Sequence, residues 1–162
     1  MLANVSQNGA IGILGVGSYV PERVITNEEL SKLVETSDEW ITERTGIKER
    51  HVAEPEQAAS DLALPASRQA LEQAGIDPAE LDLVVVATVT PDMFFPSTGS
   101  LLASELGAPD AAAYDLSAGC TGFVYALVQA HGMVASGLAS NALVIDDVAA
   151  SAVNSPTEWP IT

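Results

Sequence analysis

The sequence predicts a layered α/β fold, a mostly parallel sheet with helices on both faces, in a single domain spanning residues 1–162. Three observations carry this expectation. Short, nearly continuous runs of Val, Leu and Ile recur along the chain, the pattern of strands covered on both faces. Segments with helical spacing stand between those runs and end at glycines. Strands that alternate with helices return by crossovers, which makes neighbouring strands parallel. The composition fits: 48% hydrophobic and 17% charged residues supply one core and exclude a disordered chain.

Ile11 to Val16 reads as a first buried strand, ending at Gly15-Val16-Gly17-Ser18. A dinucleotide fingerprint is rejected there, because Val20 stands where a third glycine is needed and Pro21 opposes an immediate helix. Thr26 or Asn27 can cap a short helix over Glu28 to Val34. Ser37 can cap a second, with Asp38 and Glu39 in its first turn and Gly46 as its stop. A longer helix is expected over Ala58 to Ala74, with Leu62, Ala66, Ala70 and Ala74 on one face, Gly75 at its end and Pro65 kinking or delaying it. Then follow a buried strand over Leu81 to Thr88, a helix over Thr98 to Leu106, and a strand over Ala111 to Leu116. An apolar helix over Cys120 to Ser136 and a strand over Asn141 to Ile145 complete the series.

Charge narrows the partners. The net charge is −16, and all six basic residues lie at or before Arg68. Neither a nucleic-acid backbone nor an anionic membrane surface finds the clustered cations it needs. A phosphate-bearing ligand is restricted to the neighbourhood of the few arginines. No apolar run approaches the roughly 18 residues of a membrane span, and the first ten residues lack the pattern of a signal peptide. The single cysteine excludes an internal disulfide and a multi-cysteine metal site, so no metal is expected. It also points to a cytoplasmic setting.

Three segments carry chemistry. In Asp115-Leu116-Ser117-Ala118-Gly119-Cys120-Thr121-Gly122-Phe123, a strand meets a turn of small residues, and Cys120 opens a helix. A helix N-terminus favours the thiolate, and nearby N–H groups can stabilise an oxyanion, so Cys120 is a candidate nucleophile; an inert buried thiol is the alternative. In Thr36-Ser37-Asp38-Glu39-Trp40-Ile41-Thr42-Glu43-Arg44-Thr45-Gly46, Trp40 and Arg44 share one helix face. They suit an adenine ring and a phosphate, or form a plain cation–π pair. In Thr88-Val89-Thr90-Pro91-Asp92-Met93-Phe94-Phe95-Pro96-Ser97-Thr98, two adjacent phenylalanines cannot both face one core from an extended loop. One is expected at a subunit interface or lining a pocket, unless both tuck under the loop. His51 and His131 are expected to be structural, since His131 lies about 16 Å along the helix from Cys120 at 1.5 Å per residue.

Together these three segments, in this order and spacing, resemble the 3-oxoacyl-[acyl-carrier-protein] synthase III family of the thiolase superfamily, over about Gly12 to Ile145. The resemblance implies the N-terminal half of a thiolase-like fold, with apolar faces that a second half covers. It implies that Cys120 accepts an acyl group from acyl-CoA, which is a substrate and not a permanently bound cofactor. It further implies that Trp40, Arg44 and Thr36 contact coenzyme A, and that Phe95 reaches across a homodimer interface to the partner's acyl pocket. Malonyl-acyl carrier protein would be the second substrate, with fatty-acid initiation as the setting. The family's His and Asn for decarboxylation, and its Gly-Asp-Gly-Ala strand, come from a C-terminal half that this sequence, ending at Thr162, is expected to lack. Three departures stand out: Asp146-Asp147 directly after Ile145, a loose match over Ser155 to Trp159 without the family's coenzyme A-binding arginine, and Pro65 within a helix the family keeps regular. A non-catalytic acyl-CoA-binding remnant and a different cysteine-nucleophile thioesterase or hydrolase are the competing readings. The latter lacks a well-placed base in this chain.

Overall fold

The computed structural model describes residues 1–4 and 10–146. Asp147 and the expected match over Ser155 to Trp159 lie outside these residues. Within them the backbone forms two compact units. One comprises Met1–Tyr19 and the chain from Ala58 onward; the other is Val20–Gln57.

The first unit is built on a five-stranded sheet in the order β2-β1-β7-β5-β6. Its strands are β1 (Leu2–Asn4), β2 (Ile11–Ile13), β5 (Leu83–Ala87), β6 (Ala112–Leu116) and β7 (Asn141–Asp146). Helices α3 (Ala59–Ala74), α4 (Thr98–Leu106) and α5 (Gly122–Ala135) complete it. All five residues of β5 are buried, as its unbroken Val/Leu run requires. Successive side chains point to opposite faces. Val84 and Val86 therefore join Ala63, Ala70, Leu71, Leu102 and Leu106 under α3 and α4. Leu83, Val85 and Ala87 join Ala126, Ala130 and Val134 under α5. Each fully buried Val or Leu contributes about 1.5–3 kcal/mol, so this central strand anchors both layers. Helices thus cover both faces, as expected.

The sheet is mixed where a mostly parallel one was expected. β5 pairs in parallel with β6 and β7, but β1 runs antiparallel to both β2 and β7. Only six residues separate β1 from β2, too few for the crossover that parallel neighbours need. β1 is three residues long, too short to show a period in the sequence.

The run from Ile11 to Val16 is not a buried strand either. It ends at Ile13 on the sheet edge, and Ile13 and Val16 are exposed. The glycines after it serve close packing. A Cβ on Gly15 would stand 2.1 Å from the Ala70 carbonyl oxygen, and one on Gly17 2.0 Å from that of Ala66. The N–H groups of Val16 and Ser18 donate to Gln73 Oε1 and Gln69 Oε1 of the same helix. The Gly-x-Gly segment thus holds the chain against α3. Pro65 does not delay α3, which starts at Ala59 and runs unbroken to Ala74.

The second unit holds β3 (Val24–Thr26), α1 (Asn27–Leu30), α2 (Asp38–Thr45) and β4 (Glu49–His51). β3 and β4 pair antiparallel, with Val24 opposite His51. This ribbon was not anticipated, because its strands are short and mostly polar. α1 is capped by Thr26, as expected, but stops at Leu30, short of Val34. No helix among the described residues is long and apolar enough to cross a membrane.

Candidate active site

The parallel strands β5, β6 and β7 end side by side, with Ala87 in register with both Leu116 and Asp146. Two loops leave this C-terminal edge. Thr88 still donates its N–H to the Leu116 carbonyl at 3.1 Å, so the loops start adjacent. The carboxyl edge of parallel strands is where open α/β sheets place their sites.

Cys120 sits on the loop after β6, within a single 3₁₀ turn over Gly119–Thr121 that leads into α5. The sequence expected Cys120 to open the long helix itself; that helix starts two residues later, at Gly122. Gly119 has φ +56°, a left-handed conformation that side-chain-bearing residues rarely adopt. Gly122 is buried, and a Cβ there would meet the Ala87 Cβ at 3.3 Å. The small residues of the motif therefore let α5 begin against the end of β5 and turn the thiol outward. Cys120 is free and exposed, not buried.

Two aspartates tie the neighbouring loop to this edge. Asp115, in β6, accepts the N–H of Thr98 (2.8 Å) on one carboxylate oxygen and that of Gly99 (2.7 Å) on the other, capping α4. Thr98 is fully buried, and a Cβ on Gly99 would lie 2.9 Å from the Tyr114 carbonyl. Asp92 accepts from the N–H (2.9 Å) and Oγ (2.5 Å) of Ser60 at the start of α3. Its own N–H donates to Thr98 Oγ1 at 3.1 Å. The loop from Asp92 to Thr98 is thus clamped at both ends, and its middle projects. Phe94 and Phe95 are 101% and 84% exposed, so neither tucks under the loop. On β6, burial pushes the Tyr114 hydroxyl above its usual pKa, and it donates to Gln129 Oε1 at 2.9 Å.

The other candidate face belongs to the Val20–Gln57 unit. Ser37 Oγ accepts the Trp40 N–H at 3.1 Å, and Gly46 at φ +72° ends α2, both as the sequence predicts. Trp40 is 53% exposed, and the Arg44 guanidinium lies 4.5 Å from its ring centroid. The pair covers one face of the indole and leaves other ring surface open for stacking. Thr36 differs: its Oγ1 is buried and has no hydrogen-bond partner among the described residues, so the hydroxyl is turned away from solvent. His51 Nδ1 lies 2.5 Å from the Pro21 carbonyl oxygen, and His131 is on the exposed side of α5.

Residues 114–158, which include the thiol turn, match the family model described as 3-Oxoacyl-[acyl-carrier-protein (ACP)] synthase III. A Beta-ketoacyl-[acyl-carrier-protein] synthase III from Caldanaerobacter subterraneus subsp. tengcongensis is 58% identical over 136 residues, 84% of this chain and 41% of that protein. One from Desulfitobacterium hafniense strain Y51 is 54% identical over the same shares. The chain belongs to the 3-oxoacyl-[acyl-carrier-protein] synthase III family. The fold agrees. The synthase III of Thermus thermophilus superimposes with a TM-score of 0.82 at 48% identity, over 87% of this chain and 44% of that one. The priming ketosynthase of the R1128 polyketide pathway gives 0.80 at 46%, over 83% and 40%. The chain therefore spans about two fifths of the length of its synthase III relatives.

Sequence reasoning singled out the candidate side chains but not the residues that hold them. Asp92 and Asp115 stood inside quoted motifs. Their signal was position: a carboxylate near a Ser/Thr-initiated helix is a capping candidate. Asn27 was read only as a possible cap, yet it is buried and central to the second unit.

Proposed function

We propose that this chain provides the acyl-loading part of a ketoacyl synthase III, transferring an acyl group from acyl-CoA to Cys120 for condensation with malonyl-acyl carrier protein. One observation carries the reading. The chain's only cysteine stands exposed on a glycine-dependent turn at the carboxyl edge of the parallel strands, within the stretch that matches the synthase III family. In the loading step the Cys120 sulfur attacks the thioester carbonyl carbon. The bond from that carbon to the coenzyme A sulfur breaks, coenzyme A leaves with the electron pair, and the proton lost from the thiol ends on it. Trp40 and Arg44 are assigned to the nucleotide end of coenzyme A: an exposed indole stacks on a purine, and a guanidinium binds phosphate in a fork. Phe95 is assigned to the acyl pocket of a second copy, a role its projection from a clamped loop supports. The decarboxylation that follows needs donors aimed at the developing enolate, and neither His51 nor His131 is assigned that task. Those donors are therefore assigned to residues other than the ones described.

The test is incubation with isotopically labelled acetyl-CoA followed by peptide mass spectrometry. The expected result is a thioester on the peptide that contains Cys120, absent in Cys120→Ser. A folded sample whose Cys120 reacts with iodoacetamide but never acquires the acyl label would refute it.

A further inference from the structure

The face that carries Trp40 and Arg44 belongs to a helix with little to hold it. α2 has eight residues, and Ile41 is its one buried residue. A helix of this length does not persist on its own, and a single apolar anchor fixes neither its rotation nor its tilt. What remains is polar. Asp38 and Thr42, four residues apart, share a stripe that points roughly opposite to Trp40 and Arg44, with Ile41 between the two. Asp38 and Thr42 both converge on Asn27.

Asn27 is 1% exposed. Its backbone is committed to the ribbon and to α1: the N–H donates to the Lys48 carbonyl at 3.2 Å, and the carbonyl accepts from the Ser31 N–H at 2.9 Å. Its side chain then reaches the rest of the unit. Nδ2 donates to Asp38 Oδ1 at 2.7 Å and to the Ile47 carbonyl at 2.8 Å, and lies 3.3 Å from Thr42 Oγ1. Oδ1 accepts from Arg50 Nη1 of β4 at 2.6 Å. Arg50 offers only donors and an Asp38 carboxylate only acceptors, so one amide orientation satisfies both. No other neutral side chain of this size supplies two donors and an acceptor in one plane. A buried amide satisfied in this way fixes its neighbours, because any rotation of α2 breaks a bond that water does not replace.

We propose that Asn27 is the positioning residue of the nucleotide-binding face, holding α2 in the rotation that presents Trp40 and Arg44 together. The proposal rests on the reading of that face as the coenzyme A contact. Asn27→Asp sets a carboxylate against that of Asp38 and removes the donors to Asp38 and Ile47. The reciprocal exchange Asn27→Asp/Asp38→Asn restores a donor–acceptor pair of reversed polarity and keeps an acceptor for Arg50.

Calorimetric titration of the full chain with coenzyme A under reducing conditions tests this, alongside the ¹H–¹⁵N resonance of the Trp40 indole. Asn27→Asp is expected to weaken binding about tenfold and shift the indole signal, and the reciprocal exchange to recover part of both, the Ile47 carbonyl staying without its donor. A purely structural role would lower the unfolding midpoint without moving the Trp40 indole signal of the folded protein. Trp40→Ala and Arg44→Ala in the same titrations separate the two claims. If they weaken binding while Asn27→Asp does not, or if the reciprocal exchange folds without recovery, the positioning role is overturned and the site stands. If neither changes the affinity, the site reading falls and the positioning role falls with it. Should Asn27→Asp not fold, Thr42→Val removes one member of the cluster; a two- to threefold weakening with a shifted indole supports the role, and unchanged values overturn it.

Discussion

The thiol turn and the α2 face are held in opposite ways. Cys120 stands at the end of a strand layer whose central member, β5, is wholly buried, and its turn is fixed by close backbone packing at Gly122 against Ala87. Trp40 and Arg44 stand on a short helix that one isoleucine and one buried amide secure. The first arrangement depends on shape, the second on hydrogen-bond identity. A nucleophile must stay at a fixed place relative to a reacting carbon, and backbone packing sets position most firmly.

That contrast ranks the effects of substitution. The largest is expected at Gly17. A Cβ there would lie 2.0 Å from the Ala66 carbonyl oxygen and 2.8 Å from the Ala70 nitrogen. Both are helix backbone that cannot move aside alone, so Gly17→Ala should cost about 3 kcal/mol or more. A urea midpoint within error of the parent would break the claim that shape governs this unit.

Next is Asp115→Ala, which strands two N–H groups at the start of α4. A loss of about 2–3 kcal/mol is expected, and Asp115→Asn, with one acceptor oxygen left, should lose about half as much. Equal losses in the two variants would show that charge, not hydrogen-bond number, matters at this cap.

The smallest is Ser37→Ala, which removes the cap of α2 at about 1 kcal/mol. Its signature should be local. Amide hydrogen exchange is expected to quicken in α2 and stay unchanged in β5. Faster exchange in β5 as well would mean the two units do not respond separately.

Most of the elements were legible because their signals are local. Ser37 and Gly46 bound α2, Ser97 and Gly107 bound α4, and the Val/Leu run marks β5 without reference to anything distant. The candidate side chains were legible for the same reason: a lone Cys after a strand and a small-residue turn, and a Trp and an Arg one helical turn apart. The β1–β2 hairpin and the β3–β4 ribbon were not, because three-residue strands show no period and gain their stability from partners far along the chain. The sequence by itself therefore determined the layered order, the long helices and which side chains are candidates for chemistry, since spacing and capping act within a few residues. The tertiary structure alone decided that the sheet is mixed, that Gly15 and Gly17 serve α3, that Phe94 and Phe95 both project, and that Asp92, Asp115 and Asn27 hold the loops and the helix in place. Each of those depends on which buried donor meets which acceptor across a long stretch of chain, and such pairings exist only once the layers have closed.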